Sequence, residues 1–339
     1  MTTPAFDASA VPPTEPAPRP AVAPAPAGDR EPVNDPDPIV GPSTTGGLIA
    51  VTGATGALGG RVARRLADTG VVQRLLVRDP SRTADLSGAE VVRIGAGYAD
   101  GDAMRAALDG VHTLLLVSAS ESKDRRDVHA AAVDAAVESG VTHIVYVSFV
   151  GAGPHATFTL ARDHGHTEEH IKARGVAYTI LRDNMYLDFV PNLVGADGVL
   201  RGPAGNGRFG GVTRDDVADV ALAVLTSVAA GDQMHIGRVY DVTGRETISM
   251  AEVAAQLTRA SGRLITYDAE TLDQAYASRS VYGAPDWEVA GWVTSYSAIA
   301  AGDLDVVTST VADLTGHEPM TFAEYLARHP ADIDHLRSA

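Results

Sequence analysis

The feature that most constrains this chain is a short apolar run that leads directly into three regularly spaced glycines. Residues 47–52 are mostly apolar, and Gly53, Gly56 and Gly59 follow in the pattern G-x-x-G-x-x-G. Leucine or valine then recurs at every fourth position over residues 58–66, which predicts an amphipathic helix. The stretch therefore reads as strand, tight turn and helix.

This combination is typical of a dinucleotide site. Gly53 allows the tight turn, Gly56 lets the backbone approach a pyrophosphate, and Gly59 lets the helix pack on its strand. The free N–H groups and the dipole at the start of the helix hold phosphates. An ordinary strand–turn–helix is the alternative, since glycine-rich turns are common. No Gly-Lys-Ser/Thr follows, so the turn is not a P-loop.

The same rhythm continues to about residue 182. Strands are predicted at 74–77, 90–94, 111–117, 142–148 and 176–181, with helices at 57–69, 101–108, 122–139 and 162–174. The strands are continuous apolar runs, as expected of a parallel sheet covered on both faces. We therefore predict an α/β fold of the Rossmann type, with a doubly wound parallel sheet.

Beyond residue 182 the pattern loosens into a smaller, mainly helical C-terminal lobe. Residues 195–211 are glycine-rich and predict a loop or short hairpin, and Asp215 or Asp216 is the expected N-cap of a helix ending near 228. A strand at 239–242 and helices at 249–261, 271–279, 286–300 and 321–328 follow. The predicted cofactor domain is 46–185 with 212–244 returning to it; 186–211 and 245–330 form the substrate lobe.

Composition narrows the function. Residues 1–45 hold 12 of the 19 prolines and are predicted to be a disordered, proline- and alanine-rich tail. The absence of cysteine excludes disulfides and thiolate chemistry and fits a cytoplasmic protein. The net charge of −16 argues against direct nucleic-acid binding, and no apolar run is long enough to span a membrane. A homodimer is left open.

Residues at the ends of the predicted strands should face the cofactor, because ligands bind at the carboxyl ends of parallel strands. Arg78 follows the second strand, where an arginine pairs with the 2′-phosphate of NADP and an acid accepts from the 2′-hydroxyl of NAD. Asp79 is ambiguous, since it could instead cap the next turn. NADPH is therefore the favoured cofactor, with NADH as the alternative. Residues 118–120 and 148–150 end two further strands.

Several of these segments together resemble one family. Residues 53–59, 76–80, 114–121 (LLLVSASE) and 178–182, followed by Asn184 and Tyr186, are similar to NmrA-like atypical short-chain dehydrogenases. The likeness is strongest to the NAD(P)H:quinone oxidoreductase type, which includes triphenylmethane-dye reductases, and it spans about 48–326. The resemblance implies an NADPH-dependent oxidoreductase. The cofactor contacts it implies are Gly53, Ala54, Thr55, Gly56, Ala57, Leu58, Arg78, Ser118, Ala119, Ser120, Asn184, Met185 and Tyr186. Phe149 is a further expected contact, because it ends a predicted strand.

The chain also departs from ordinary short-chain dehydrogenases, which place Tyr-x-x-x-Lys about a dozen residues after a serine. Ser148 fits the serine position, but residues 159–163 offer neither the tyrosine nor the lysine. The usual proton relay of alcohol–ketone interconversion is therefore in doubt. Hydride transfer to a quinone or similar conjugated aromatic acceptor depends less on this missing pair, because the cofactor carries out the difficult step. His164 and Tyr186 become candidates, with Ser148, to orient that acceptor or donate a proton.

Three functions follow as hypotheses. The first is an NADPH-dependent quinone reductase, favoured by a C-terminal lobe rich in aromatic residues (Tyr276, Tyr282, Trp287, Trp292, Tyr296). Core packing between helices is the favoured interpretation of each of these residues singly, and a pocket for a flat ligand would recruit some of them. The second is a non-catalytic NADP(H) sensor that regulates a partner protein, and the third is a secondary-metabolite reductase or isomerase. No metal is expected: the H-x-x-E-H motif at 166–170 falls on a helix of a nucleotide-binding sheet, outside the context of a zinc protease.

Overall fold

A seven-stranded parallel sheet dominates the computed structural model, which describes residues 47–337. The predicted tail lies outside the described residues. In the described part the strands are β1 (Leu48–Thr52), β2 (Gln73–Val77), β3 (Ala89–Arg93), β4 (Val111–Leu116), β5 (His143–Phe149), β6 (Ala177–Asp183), β7 (Val199–Gly202), β8 (Arg208–Phe209), β9 (Arg238–Val242), β10 (Ile248–Ser249) and β11 (Thr266–Ala269). The large sheet has the order β3-β2-β1-β4-β5-β6-β9, so the predicted doubly wound α/β fold is confirmed.

Helices cover both faces of the sheet and continue into the C-terminal portion. They are α1 (Gly59–Thr69), α2 (Gly101–Leu108), α3 (Arg125–Glu138), α4 (Thr159–Ala173), α5 (Arg214–Ala229), α6 (Met250–Ser261), α7 (Leu272–Ser280), α8 (Asp286–Ala301), α9 (Thr310–Thr315), α10 (Phe322–Arg328) and α11 (Asp334–Arg337). α1 and α5 share one apolar core with the sheet, and α2 and α3 share another on the opposite face. None of the helices in the described part has the length and hydropathy needed to cross a membrane.

The chain order reverses between β1 and β4, and this is where a doubly wound sheet binds its ligand. The two strand ends are tied together by Thr52. Its hydroxyl donates to the Leu115 carbonyl at 3.0 Å and accepts from the Val117 N–H at 2.9 Å. The edge that should carry the cofactor is therefore fixed by a buried side chain.

Two expectations for the C-terminal half were wrong. The glycine-rich segment is not a hairpin, because β7 pairs with β11 and β8 pairs with β10. Its glycines permit close approach: a Cβ on Gly207 would lie 2.1 Å from the Ile299 carbonyl oxygen. The N-cap of α5 is Thr213, whose hydroxyl accepts from the Asp216 N–H. Asp215 instead pairs with Arg61 and Arg65 of α1, which holds the two helices side by side.

Candidate active site

The glycine turn has the geometry that a bound dinucleotide needs. Gly53 has φ of 63°, and the Gly56 N–H donates to its carbonyl at 2.8 Å. A Cβ on Gly59 would lie 2.4 Å from the Gly53 oxygen, so only glycine lets α1 start this close to β1. Ala54 and Leu58 are buried and anchor the turn, whereas Gly56 and Ala57 are exposed. The turn thus presents backbone to a ligand on its outer side.

The end of β2 settles what Asp79 does. Its carboxylate accepts from the N–H and the hydroxyl of Ser81, at 3.0 and 2.7 Å, and so caps the short 3-10 helix Pro80–Arg82. These hydrogen bonds lower the pKa of Asp79. Arg78 is exposed, its stem lies over Gly97, and no carboxylate among the described residues pairs with it. The residue free to meet the ribose end of a cofactor is the arginine.

The loop after β4 is clamped by one face of α3. The Ala119 N–H donates to His129 Nε2 at 2.9 Å, and the Ala119 carbonyl accepts from Arg125 Nε at 3.0 Å. Ser118 and Ser120, on either side, make no side-chain hydrogen bonds within the described residues. Their hydroxyls are available at the edge of the sheet.

A buried polar network joins this clamp to α4. Arg125 Nη2 donates to His164 Nε2 at 3.2 Å, so His164 carries its proton on Nδ1 and donates to the Tyr146 hydroxyl at 2.9 Å. His129 accepts at Nε2, so its Nδ1–H donates to Thr167 at 2.8 Å. Burial lowers the pKa of His129 to about 3 and that of His164 well below its usual range, with the charge of Arg125 adding to both shifts. Both rings are therefore neutral, and both nitrogens of each are engaged.

Ser148 faces the interior of the protein. Its side chain is fully buried, and its hydroxyl donates to Glu168 of α4 at 2.6 Å. Arg182 completes the cluster with two hydrogen bonds to the same carboxylate, at 2.8 and 2.6 Å. The serine supports the ion pair of Glu168 and Arg182, and its hydroxyl hydrogen is committed to Glu168. Phe149, the next residue, lies 6.4 Å from the His164 ring between centroids.

The segment after β6 is also held by internal contacts. The Tyr186 hydroxyl donates to Asp183, and the Arg214 guanidinium lies 4.2 Å above the Tyr186 ring. Burial raises the pKa of Asp183 to about 7, against the hydrogen bond from Tyr186. Asn184 is fully buried and donates to the Leu304 carbonyl at 3.1 Å. Its oxygen accepts from the Met185 N–H, so the amide ties the end of β6 to the C-terminal part.

A cavity of about 310 Å³ opens at the same edge of the sheet. Its walls are Val150, Gly151, His155, Ala156, Thr157, Phe158, Ala161, Ala298, Asp303 and Leu304. Phe149 packs edge-on against Phe158, at 5.2 Å, directly behind this wall. None of the five aromatic residues expected to favour a flat ligand lines the cavity. Tyr296 is buried against Gly202, and Tyr276 and Tyr282 are exposed.

Sequence reasoning missed Arg125, His129, Tyr146 and Glu168. A signal was present for the first two, because they lie four residues apart on the predicted helix and so share a face. Glu168 lies within the H-x-x-E-H motif, whose His170 pairs with Asp134 in the structure. Asp216, Asp219 and His317 bring ligand atoms within 4.8 Å of one another. Those groups already bind Thr213, Arg65 and each other.

Known proteins resemble this chain over most of its length. Quinone oxidoreductase 2 of Escherichia coli is 34% identical over 82% of this chain and 96% of its own. An NAD(P)H azoreductase of Xenophilus azovorans is 30% identical over 84% of this chain and 98% of its own. The structure of the E. coli quinone oxidoreductase complexed with NADPH superposes with a TM-score of 0.72, at 32% identity, over 83% and 99% of the two chains.

Two further structures extend the comparison. The Citrobacter sp. triphenylmethane reductase complexed with NADP(H) gives a TM-score of 0.71 at 27% identity, over 83% of this chain and 99% of its own. The negative transcriptional regulator Nmra shares the fold, with a TM-score of 0.64 at 17% identity over 86% and 99%. The family model described as NAD(P)H-binding matches residues 53–228, more than half of the chain. The chain therefore belongs to the NAD(P)H-binding family and has the NmrA-like fold.

Proposed function

We propose that this protein is an NADPH-dependent reductase that passes a hydride to a quinone or a similar conjugated aromatic acceptor. The observation that carries the proposal is the cavity beside Phe149, which opens at the same edge of the sheet as the glycine turn. The relatives named quinone oxidoreductase and azoreductase support it. In the proposed division, 46–185 and 212–244 bind the cofactor, and 186–211 and 245–330 bind the acceptor.

The residues at this edge fit NADPH. The turn 53–58 would hold the diphosphate on backbone N–H groups, and Arg78 would pair with the 2′-phosphate. Ser118 and Ser120 would contact the nicotinamide ribose, with Phe149 and Met185 beside the ring. When bound, NADPH supplies the hydride. The protein's own task is to hold two flat rings in register and to exclude water.

The three side chains expected to be catalytic take positioning roles in this proposal. Tyr186 and Ser148 each give their hydroxyl hydrogen to a carboxylate, and both nitrogens of His164 are engaged. An acceptor that takes hydride readily needs no dedicated acid from this set. Asn184 acts by fixing Leu304, which lines the cavity.

Steady-state oxidation of NADPH with a panel of quinones and azo dyes tests the proposal. Turnover with at least one quinone is expected. No turnover with any acceptor, together with tight NADP(H) binding, would favour a non-catalytic sensor of a partner protein, a hypothesis motivated by the missing Tyr-x-x-x-Lys pair. Turnover confined to one metabolite carbonyl or alkene would point instead to a secondary-metabolite reductase or isomerase.

We further propose a cytoplasmic location and a homodimer. The chain contains no cysteine and shows no membrane-crossing helix in its described part. Cell fractionation and light scattering of the purified protein test these two points. Recovery with membranes, or a monomer at working concentration, would refute them.

A further inference from the structure

Arg125 is a buried cation without a counter-ion in the described part of the chain. Only 5% of its surface is exposed. Its hydrogen bonds go to the Ala119 carbonyl and to the neutral ring of His164, and no carboxylate among residues 47–337 forms an ion pair with it. Within the same range the Nη1 atom of Arg125 has no hydrogen-bond partner. It is not fully enclosed by protein, so it is the side of the guanidinium that an added group can reach.

Such an arrangement is incomplete on physical grounds. A guanidinium remains protonated at all relevant pH values, so Arg125 cannot lose its charge by titration. Buried charges are normally paired, because an uncompensated charge in a low-dielectric interior is costly. An anion on the accessible side of Nη1 would complete the site.

The contacts of Arg125 show where that anion would lie. It bonds the loop after β4 and reaches His164, which in turn bonds Tyr146 of β5. Burial raises the pKa of Asp183 at the end of β6, and the positive charge of Arg125 is among the effects that oppose this rise. The guanidinium therefore lies between the loop that follows β4 and the buried His164 of α4. A diphosphate held by the turn after β1 lies on the other side of β4.

We infer that Arg125 stabilises the negative charge that forms on the acceptor when it is reduced. The inference rests on the proposed function. In the step, the acceptor gains a hydrogen with its bonding electron pair from the dihydronicotinamide, which is oxidised. A quinone then carries one negative charge on oxygen, and water later supplies the proton that gives the hydroquinone. A fixed cation within reach of this oxygen would lower the barrier, because it needs no reorganisation as the charge forms.

Glu121 is the alternative candidate for the counter-ion of Arg125. It follows the loop that Arg125 and His129 hold. Burial raises the pKa of the Glu121 carboxyl, and the positive charge of Arg125 opposes this rise. The two charges interact at a distance, since no ion pair or hydrogen bond joins the Glu121 carboxylate to Arg125 in the described part of the chain. Glu121→Gln is therefore the matched control: it removes a nearby charge without touching the hydrogen bonds of Arg125.

The test uses pentafluorophenolate, which is an anion at neutral pH, and its neutral methyl ether, each bound to the protein in the presence of saturating NADP⁺. Isothermal titration should show wild type and Glu121→Gln binding the phenolate in preference to the ether. Arg125→Gln should weaken the phenolate about ten- to a hundredfold, the size of one charge-assisted hydrogen bond, and leave the ether unchanged. Arg125→Lys, which keeps the charge, should recover part of the loss.

Equal affinity of wild type for phenolate and ether would overturn the inference while leaving the reductase proposal intact. So would an Arg125→Gln variant that keeps the preference for the phenolate, because the charge of oxidised nicotinamide would then explain it. Circular dichroism shows whether Arg125→Gln folds. If it does not, the ratio of phenolate affinity to ether affinity in wild type and in Arg125→Lys still tests the inference. A purely structural clamp would weaken NADP⁺ and both aromatic probes alike.

Discussion

Ser148 donates its hydroxyl hydrogen to the buried carboxylate of Glu168 at 2.6 Å. Arg182 neutralises the same carboxylate and donates to it from both Nε and Nη2, so Glu168 accepts three hydrogen bonds in all. The position that carries a reacting serine in ordinary short-chain dehydrogenases thus has a structural partner here. Removal of a reacting serine would mainly slow turnover, whereas removal of a supporting serine would mainly lower stability.

Ser148→Ala should lower the free energy of unfolding by about 1.5–3 kcal/mol, the value of a hydrogen bond to a charged group. Turnover should slow by less than about tenfold, because Glu168 keeps Arg182 and stays in place. Urea unfolding and steady-state kinetics measure the two effects. Glu168→Gln, which leaves Arg182 half-buried and unpaired, should cost more stability, about 3–5 kcal/mol. If Ser148→Ala instead slowed turnover by roughly a hundredfold or more at unchanged stability, the serine would be restored to proton transfer.

Arg78→Ala should weaken NADPH far more than NADH. Asp79 is committed to its cap, which leaves Arg78 to meet the 2′-phosphate. Loss of one charge-assisted contact is worth roughly 1.5–3 kcal/mol, or about ten- to a hundredfold in affinity. Fluorescence titration with both cofactors measures the change, and Arg82→Ala is the matched control. Equal weakening of NADH and NADPH would mean that Arg78 does not read the phosphate.

The sequence predicted the sheet well because its strands are continuous apolar runs between helices of clear period. The seven strands and their flanking helices lie within a few residues of the predicted positions. The short pairs β7–β11 and β8–β10 were missed, since two to four residues carry no periodicity. At the site, the glycine turn and Arg78 follow from local spacing.

Side-chain direction is what local spacing does not give. Ser148 and Tyr186 lie where expected along the chain, but each hydroxyl donates to a carboxylate: that of Glu168 on α4 for Ser148, and that of the nearby Asp183 at the end of β6 for Tyr186. The spacing of Arg125 and His129 places them on one helix face, but their contacts with the loop after β4 and with α4 follow only from the assembled fold. The pocket wall likewise comes from Phe158 and Leu304, far apart in sequence and close in the cavity.

His143→Gln should flatten the acid side of the stability profile. Burial lowers the pKa of His143 from 6.5 to about 4, with His235 adding to the shift. Between these values the unfolded chain binds more protons, so stability is present above pH 6.5 and is lost as pH falls toward 4. The glutamine amide can still donate to Thr179, as His143 Nε2 does at 2.8 Å.

The slope of unfolding free energy against pH in this window should decrease in His143→Gln by up to about 1.4 kcal/mol per pH unit. Urea unfolding across the pH series measures it. His166→Gln, at an exposed position on α4, should leave the slope as in wild type. An unchanged slope in both variants would show that His143 does not carry this acid sensitivity.

Tyr186→Ala should mainly raise KM. Its ring lies beneath Arg214 at the end of β6 and would hold an acceptor equally in the ground and transition states. Tyr186→Phe keeps the ring and removes only the hydrogen bond to Asp183, so it should retain a KM close to that of wild type. Initial rates over a quinone concentration series separate the two parameters. A fall of kcat in Tyr186→Phe at constant KM would indicate that the hydroxyl takes part in the reaction.

His164→Ala should lower kcat by no more than roughly tenfold, well short of the 10²–10⁴ expected when a general acid is removed. The reason is geometric: Nε2 accepts from Arg125 and Nδ1–H donates to Tyr146, so neither nitrogen faces an acceptor. The loss that does occur comes from Arg125, which is freed on one side and holds the Ala119 loop less firmly. Single-turnover kinetics with a quinone measure the effect, and Tyr146→Phe, which breaks the same network one step further on, should give a smaller loss. A thousandfold fall in kcat for His164→Ala at unchanged KM would identify an acid–base enzyme, and a carbonyl would then be the better acceptor than a quinone.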